Sequence, residues 1–208
     1  IVDGDENIPQ TCYSKEDALK MGFPMIAKPA KGHSGLGIQV FKDQKGFDDA
    51  DHSKFDVYSE FIDKKSEHRV INFKGAPFFW MERKAMNDKA KNGDGKADEQ
   101  TMFKYIKHDV AKIPQKFKDL IEKYCGMFQD LPYITFDIME DQSGKLYVIE
   151  SNAQPGVPYD STIEIYKQVF QDFYSRECDA KTTKHLAELA DFMCNKTLEL
   201  DPERFEIK

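Results

Sequence analysis

Residues 133–156 read YITFDIMEDQSGKLYVIESNAQPG, and the interpretation of the whole chain turns on them. Two alternating apolar runs, Tyr133 to Glu140 and Lys145 to Ser151, flank the polar turn Asp141-Gln142-Ser143-Gly144, which is the pattern of a β-hairpin. Asp137 lies inside the first run, among Thr135, Phe136, Ile138 and Met139, where a carboxylate needs something to balance its charge. Glu150 and Asn152 stand two apart near the end of the second run and so share one face of the sheet. A register that brings Asp137 to that face gathers two carboxylates and an amide oxygen. Such a set suits Mg²⁺, which takes a few protein oxygens and leaves its other positions to water and phosphate. An ordinary hairpin with acids at its ends fits the same spacing.

The composition narrows the function classes. With 208 residues the chain can bury a real core, and its formal charge of −7 and pI near 5.3 argue against holding nucleic acid through phosphate contacts. Small-molecule partners are expected instead. Cys12, Cys125, Cys178 and Cys194 are scattered, without Cys-x-x-Cys or a His at metal-ligand spacing, so neither a disulfide framework nor a zinc site is indicated and a reducing cytoplasm fits. No apolar run of about eighteen residues and no signal peptide appear, so no membrane association is expected. The chain opens on Ile1 within a polar stretch, and further sequence upstream is expected.

Working outward, Ser14 with Asp17 three residues on predicts the start of a short helix that Gly22 and Pro24 close. The apolar run Phe23 to Pro29 predicts a strand carrying Lys28 on a rigid element. Lys31-Gly32-His33-Ser34-Gly35-Leu36-Gly37 follows, before a strand with Ile38, Val40 and Phe41. Its glycines and serine let backbone N–H groups face inward, as phosphate cradles require, although a hairpin tip has the same composition. No Gly-Lys-Ser/Thr ending and no following helix are present, which excludes a Walker A loop and a dinucleotide fingerprint.

Phe55 to Ile62 predicts another strand, ending Tyr58-Ser59-Glu60-Phe61-Ile62-Asp63. Glu67 to Phe73 alternates, with Glu67, Arg69 and Ile71 on one face. Charges there imply either a ligand or ion-pair partner, or a solvated edge. His68 is expected to pack or hydrogen-bond locally. A Lys74-Gly75 turn leads to the run Phe78 to Lys84, ending in Arg83 and Lys84. Met86 to Gln100 is almost wholly polar and fits a lid or a disordered link. Its partial calcium-loop match, Asp88, Asn92, Gly93 and Glu99, fails at Ala90, where a ligand is required. Helical stripes run through Phe117, Leu120, Ile121, Tyr124 and Phe128, through Ile163, Tyr166, Val169, Phe170, Phe173 and Tyr174, and through Leu186, Leu189, Ala190 and Met193. All three stripes read as core.

The order of these pieces resembles the ATP-grasp superfamily, over a span from Ile8-Pro9-Gln10-Thr11 to Gly156. Within it, the chain looks like the carboxylate–amine ligases, such as glutamate ligases, glutathione synthetase and D-alanine ligase. The resemblance implies an α+β fold of two lobes that grip a nucleotide between antiparallel sheets. Residues 1–63 would form a small lobe, 64–178 a large lobe with the metal site, and 179–208 a helical extension.

The resemblance also assigns roles. Lys28 would contact the α and β phosphates of ATP, and Gly32, His33, Ser34, Gly35 and Gly37 would close over the β and γ phosphates. Glu60, Phe61 and Ile62 match the adenine hinge, and Glu67 matches the acid holding the ribose hydroxyls. Arg69 and either Arg83 or Lys84 would reach the triphosphate or acyl phosphate, while Asp137, Glu150 and Asn152 match the magnesium ligands. The implied activity converts a small-molecule or peptide carboxylate to an acyl phosphate that an amine attacks, releasing ADP and phosphate. The alternatives are a phosphotransferase of the same fold, or a nucleotide-binding module inactive without an N-terminal domain. Two departures stand out: the upstream lysine and small N-terminal domain of such ligases have no counterpart in these residues, and Thr135 and Phe136 stand where some relatives carry an arginine.

Overall fold

Ser14 caps the first helix as its side chain allows, its hydroxyl accepting from the Asp17 N–H at 3.1 Å. Helix α1 (Lys15–Met21) follows strand β1 (Thr11–Cys12) and ends at Gly22, whose φ of 85° suits a residue without a Cβ. The computed structural model describes residues 4–31, 37–73, 75–85, 103–128, 131, 133–153 and 205–207. Residues 32–36, 86–102 and 154–204 lie outside these. They include most of the glycine-rich loop, the polar stretch with its partial calcium-loop match, and the two later helical stripes.

Contacts divide the chain into two units. The first comprises Ile1–Lys65, Ala85–Phe103 and Glu140–Tyr147, and the second Ser66–Lys84, Lys104–Met139 and Val148–Lys208. The first unit holds a four-stranded antiparallel sheet of β1, β2 (Met25–Lys28), β3 (Gln39–Phe41) and β4 (Val57–Glu60), in the order β1-β4-β2-β3. Strand β2 begins at Met25, two residues later than the apolar run suggested, because Pro24 has no N–H to give a ladder. Helix α2 (Gln44–Asp48) carries Phe47 into the core of Ala18, Met25, Ala27, Phe41 and Tyr58. Phe47 meets Phe41 edge-to-face at 5.2 Å, and each such fully buried ring contributes ~1.5–3 kcal/mol. His52 packs among these rings and is held by the Tyr58 hydroxyl at 2.9 Å and the Phe47 carbonyl at 2.6 Å.

The second unit is built on a six-stranded sheet in the order β10-β7-β6-β5-β8-β9. Its strands are β5 (Lys64–Phe73), β6 (Ala76–Ala85), β7 (Phe103–His108), β8 (Tyr133–Asp141), β9 (Leu146–Asn152) and β10 (Phe205–Ile207). Strand β10 runs parallel to β7, and β5 pairs antiparallel with β6 across the turn at Gly75. Helix α3 (Gln115–Cys125) buries Phe117, Leu120, Ile121 and Tyr124, the stripe read from the sequence. Phe117 meets His68 edge-on at 5.0 Å, and Tyr124 lies 6.3 Å from Phe136. The even-numbered positions of β8, with Ile134, Phe136 and Ile138 all buried, therefore face α3, and alternation turns Thr135 and Asp137 to the other face. Among the described residues no helix is long and apolar enough to cross a membrane.

Candidate functional site

The hairpin at the centre of the sequence forms as its pattern requires. Asp141 closes it: its N–H donates to the Lys145 carbonyl at 3.0 Å, its carbonyl accepts from Gly144, and its carboxylate accepts from the Ser143 and Lys145 N–H groups at 2.9 Å. Gly144 takes a φ of 89°, a conformation that favours glycine. Strands β8 and β9 thereby stand side by side, with β5 on the other flank of β8.

Asp137 has a partner. The Arg69 guanidinium forks onto it, Nε donating to Oδ1 and Nη2 to Oδ2, each at 2.7 Å. The carboxylate is 12% exposed and the guanidinium 28%. The hydrogen bonds to Asp137, and then the charges of Asp137, Glu150 and Tyr105, hold Arg69 protonated more firmly than an ordinary arginine, against the opposing effect of burial. Arg69 is thus within electrostatic reach of both carboxylates of the hairpin.

A second pair joins β5 to β6. Glu67 and Arg83 are register partners, and Arg83 Nη1 lies 3.1 Å from Glu67 Oε1. Glu67 is buried, whereas the neighbouring Lys84 is exposed and, by alternation, on the opposite face from Arg83. Glu150 is exposed at the end of β9, with Asn152 half-buried two residues on. Among the described residues no group of three or more His, Cys, Asp or Glu side chains could hold a metal ion. Asp137, Glu150 and Asn152 carry oxygen donors, the kind that Mg²⁺ takes together with water and phosphate.

In the first unit Lys28 ends β2, where Asp56 brackets it. The Asp56 N–H donates to the Lys28 carbonyl at 3.1 Å, and its carboxylate accepts from the Ala30 N–H at 2.8 Å. Gly37 returns the chain toward β3 with a φ of 81°. Glu60 ends β4, its N–H donating to the Gln10 carbonyl at 2.9 Å, and the Phe61 N–H reaches the Pro24 carbonyl. His33, Ser34 and the other loop residues 32–36 fall outside the described residues. The reading along the chain missed Asp56, whose only local signal is an acid preceding a strand. His68 packs and hydrogen-bonds locally, as expected, its Nε2 2.8 Å from Ser66 Oγ and its Nδ1 accepting from Trp80 Nε1 at 3.1 Å, while the stacking of His108 on Trp80 and its 3.2 Å contact with Glu82 went unread.

This architecture is the ATP-grasp fold. Among solved structures, the N5-carboxyaminoimidazole ribonucleotide synthetase from Thermotoga maritima aligns with a TM-score of 0.54 at 18% identity, covering 83% of this chain and 46% of that one. The ATP-grasp ligase PsnB, complexed with a minimal precursor, Mg and ADP, aligns with a TM-score of 0.51 at 17% identity, covering 73% of this chain and 47% of that one. In sequence, the chain is similar to the D-alanine–D-alanine ligase of Clostridium botulinum, 28% identical over 160 residues that cover 71% of this chain and 50% of the ligase. The chain spans about half the length of that curated relative. No family model matches it.

Proposed function

We propose that the chain is the nucleotide-binding part of an ATP-dependent carboxylate–amine ligase. The observation that carries this reading is the charged face of the second unit, where Arg69 grips Asp137 at 2.7 Å within electrostatic reach of Glu150, set in an ATP-grasp fold. Cation and carboxylates held together on neighbouring rigid strands suit a highly charged phosphoryl group.

In this reading Asp137, Glu150 and Asn152 would hold magnesium, which neutralises phosphate charge during transfer. Arg69 and Arg83 would steady phosphoryl oxygens, Arg83 rather than Lys84 because Lys84 is turned to the opposite face of β6. Glu67 would take the ribose hydroxyls. In the first unit, Lys28 would contact the α and β phosphates, the loop from Gly32 to Gly37 would cover the β and γ phosphates, and Glu60, Phe61 and Ile62 would read adenine. The reaction moves the γ-phosphoryl group to a substrate carboxylate oxygen, leaving ADP. An amine then attacks the acyl carbon and expels phosphate. The side chains contribute alignment and charge compensation, not covalent chemistry. Small-molecule or peptide substrates and a cytoplasmic setting accord with the acidic composition and the scattered cysteines.

The test is uptake of Mg-ATP by this chain, followed by calorimetry and by thermal unfolding, since a ligand that binds only the folded state raises its melting temperature. With substrate present, trapping of a hydroxamate by hydroxylamine together with ADP and phosphate release is expected. Release of AMP and pyrophosphate, or no response to Mg-ATP, refutes the reading.

A further inference from the structure

Five charged groups stand together on the second unit: Glu67 with Arg83, Arg69 with Asp137, and Glu150. Arg83 offsets Glu67, and Arg69 offsets Asp137. The exposed carboxylate of Glu150 adds a further negative charge within electrostatic reach of Arg69. Two bare carboxylates beside an amide oxygen would attract a free divalent cation, and the same site with a guanidinium bound to one of them attracts it far less. The fork of Arg69 still leaves a lone pair on each Asp137 oxygen, so ligation is opposed by charge and not by geometry.

We propose that Arg69 is the built-in counter-charge of Asp137 and makes metal uptake depend on nucleotide: a divalent cation enters this site with the negative charge of a polyphosphate, and not alone. The phosphate supplies the charge that offsets the guanidinium, so cation and nucleotide each raise the other's affinity. The inference rests on the metal-ligand reading given above. It adds a positioning and gating role for Arg69, separate from any contact it makes with the phosphoryl group.

The experiment titrates the whole chain with Mn²⁺, an oxygen-seeking spin probe, and reads free Mn²⁺ by electron paramagnetic resonance with and without a non-hydrolysable ATP analogue. In the wild type, Mn²⁺ binding without nucleotide should be at least tenfold weaker than with it. Arg69→Gln removes the charge but keeps an N–H donor for Asp137, and should tighten nucleotide-free Mn²⁺ binding at least tenfold. Arg69→Lys keeps the charge and should stay close to wild type. Adding Asp137→Asn to Arg69→Gln should abolish the gain. Circular dichroism and thermal unfolding confirm that each variant is folded, and a variant that unfolds is replaced by Arg69→Met. If the wild type binds the Mn²⁺–nucleotide complex and the neutral variants gain no nucleotide-free binding, the gating role is wrong and the ligase reading stands. If the wild type takes up no Mn²⁺–nucleotide complex, the ligase reading falls and this inference with it.

Discussion

Glu67 on β5 and Arg83 on β6 face each other in register and join side chain to side chain at 3.1 Å. Glu67 is 8% exposed and Arg83 27%, so the pair is largely withdrawn from water. Removing Glu67 takes from Arg83 an ion-pair contact that is largely shielded from water. Glu67→Ala should therefore cost roughly 3 kcal/mol of folding stability, the lower end of the range for breaking a buried ion pair. Urea unfolding checks this, and an unchanged midpoint would show the pair to be structurally idle.

Glu150 presents the opposite case. It is exposed at the end of β9, so Glu150→Gln should change stability by no more than ~0.5 kcal/mol. Its affinity for Mg-nucleotide should nevertheless fall at least tenfold. Melting temperature and calorimetry read the two effects separately, and equal affinity in wild type and variant would remove Glu150 from the metal ligands.

Gly37 combines a φ of 81° with a close approach to Pro29: a Cβ there would sit 3.1 Å from Pro29 Cγ and 3.2 Å from Cδ. Gly37→Ala adds both left-handed strain and a tight contact, and should destabilise the first unit by about 1–2 kcal/mol. A chemical-denaturation curve indistinguishable from wild type would contradict this account of the loop's return to β3.

Burial pushes the Cys125 thiol from an ordinary 9.0 up to about 11, so its thiolate should be about a hundredfold scarcer at neutral pH. Iodoacetamide at pH 7.5 should modify it slowly in the folded chain and readily in denaturant, as mass spectrometry of the digested peptide will show. The raised value stabilises the fold below pH 9, and this contribution is lost as pH rises from 9 toward 11. Cys125→Ala should flatten that part of the stability profile.

The Asp141 carboxylate is held below the usual aspartate value, first by the Ser143 hydroxyl and then by the N–H groups of Lys145, Ser143 and Gly144, with burial opposing. A lowered value means that its stabilising effect is present above the ordinary 3.8 and is lost as the pH falls below it. An NMR titration should show Asp141 protonating at lower pH in the folded protein than in the unfolded chain. Ser143→Ala should move that titration upward, and an unmoved midpoint would reject the hydroxyl as the main cause.

How far the sequence alone could be read depended on the range of the interaction concerned. Ser14 as a cap, the Asp141 to Gly144 turn, the strand that carries Lys28 and the stripe of α3 all follow from residues within a few positions of one another. Helix α2 went unread because five residues make too short a period to recognise. Strand β7 went unread because Lys104 and Lys107 interrupt its apolar pattern.

The sequence by itself determined the hairpin, its acids and the order of elements that resembles ATP-grasp proteins, because capping, alternation and turn formation are settled by near neighbours. Only the tertiary structure decided that Arg69 holds Asp137, 68 residues away, and that Glu67 holds Arg83. Those pairings depend on which strands lie side by side and in what register, and the periodicity of a single strand carries no record of its neighbour.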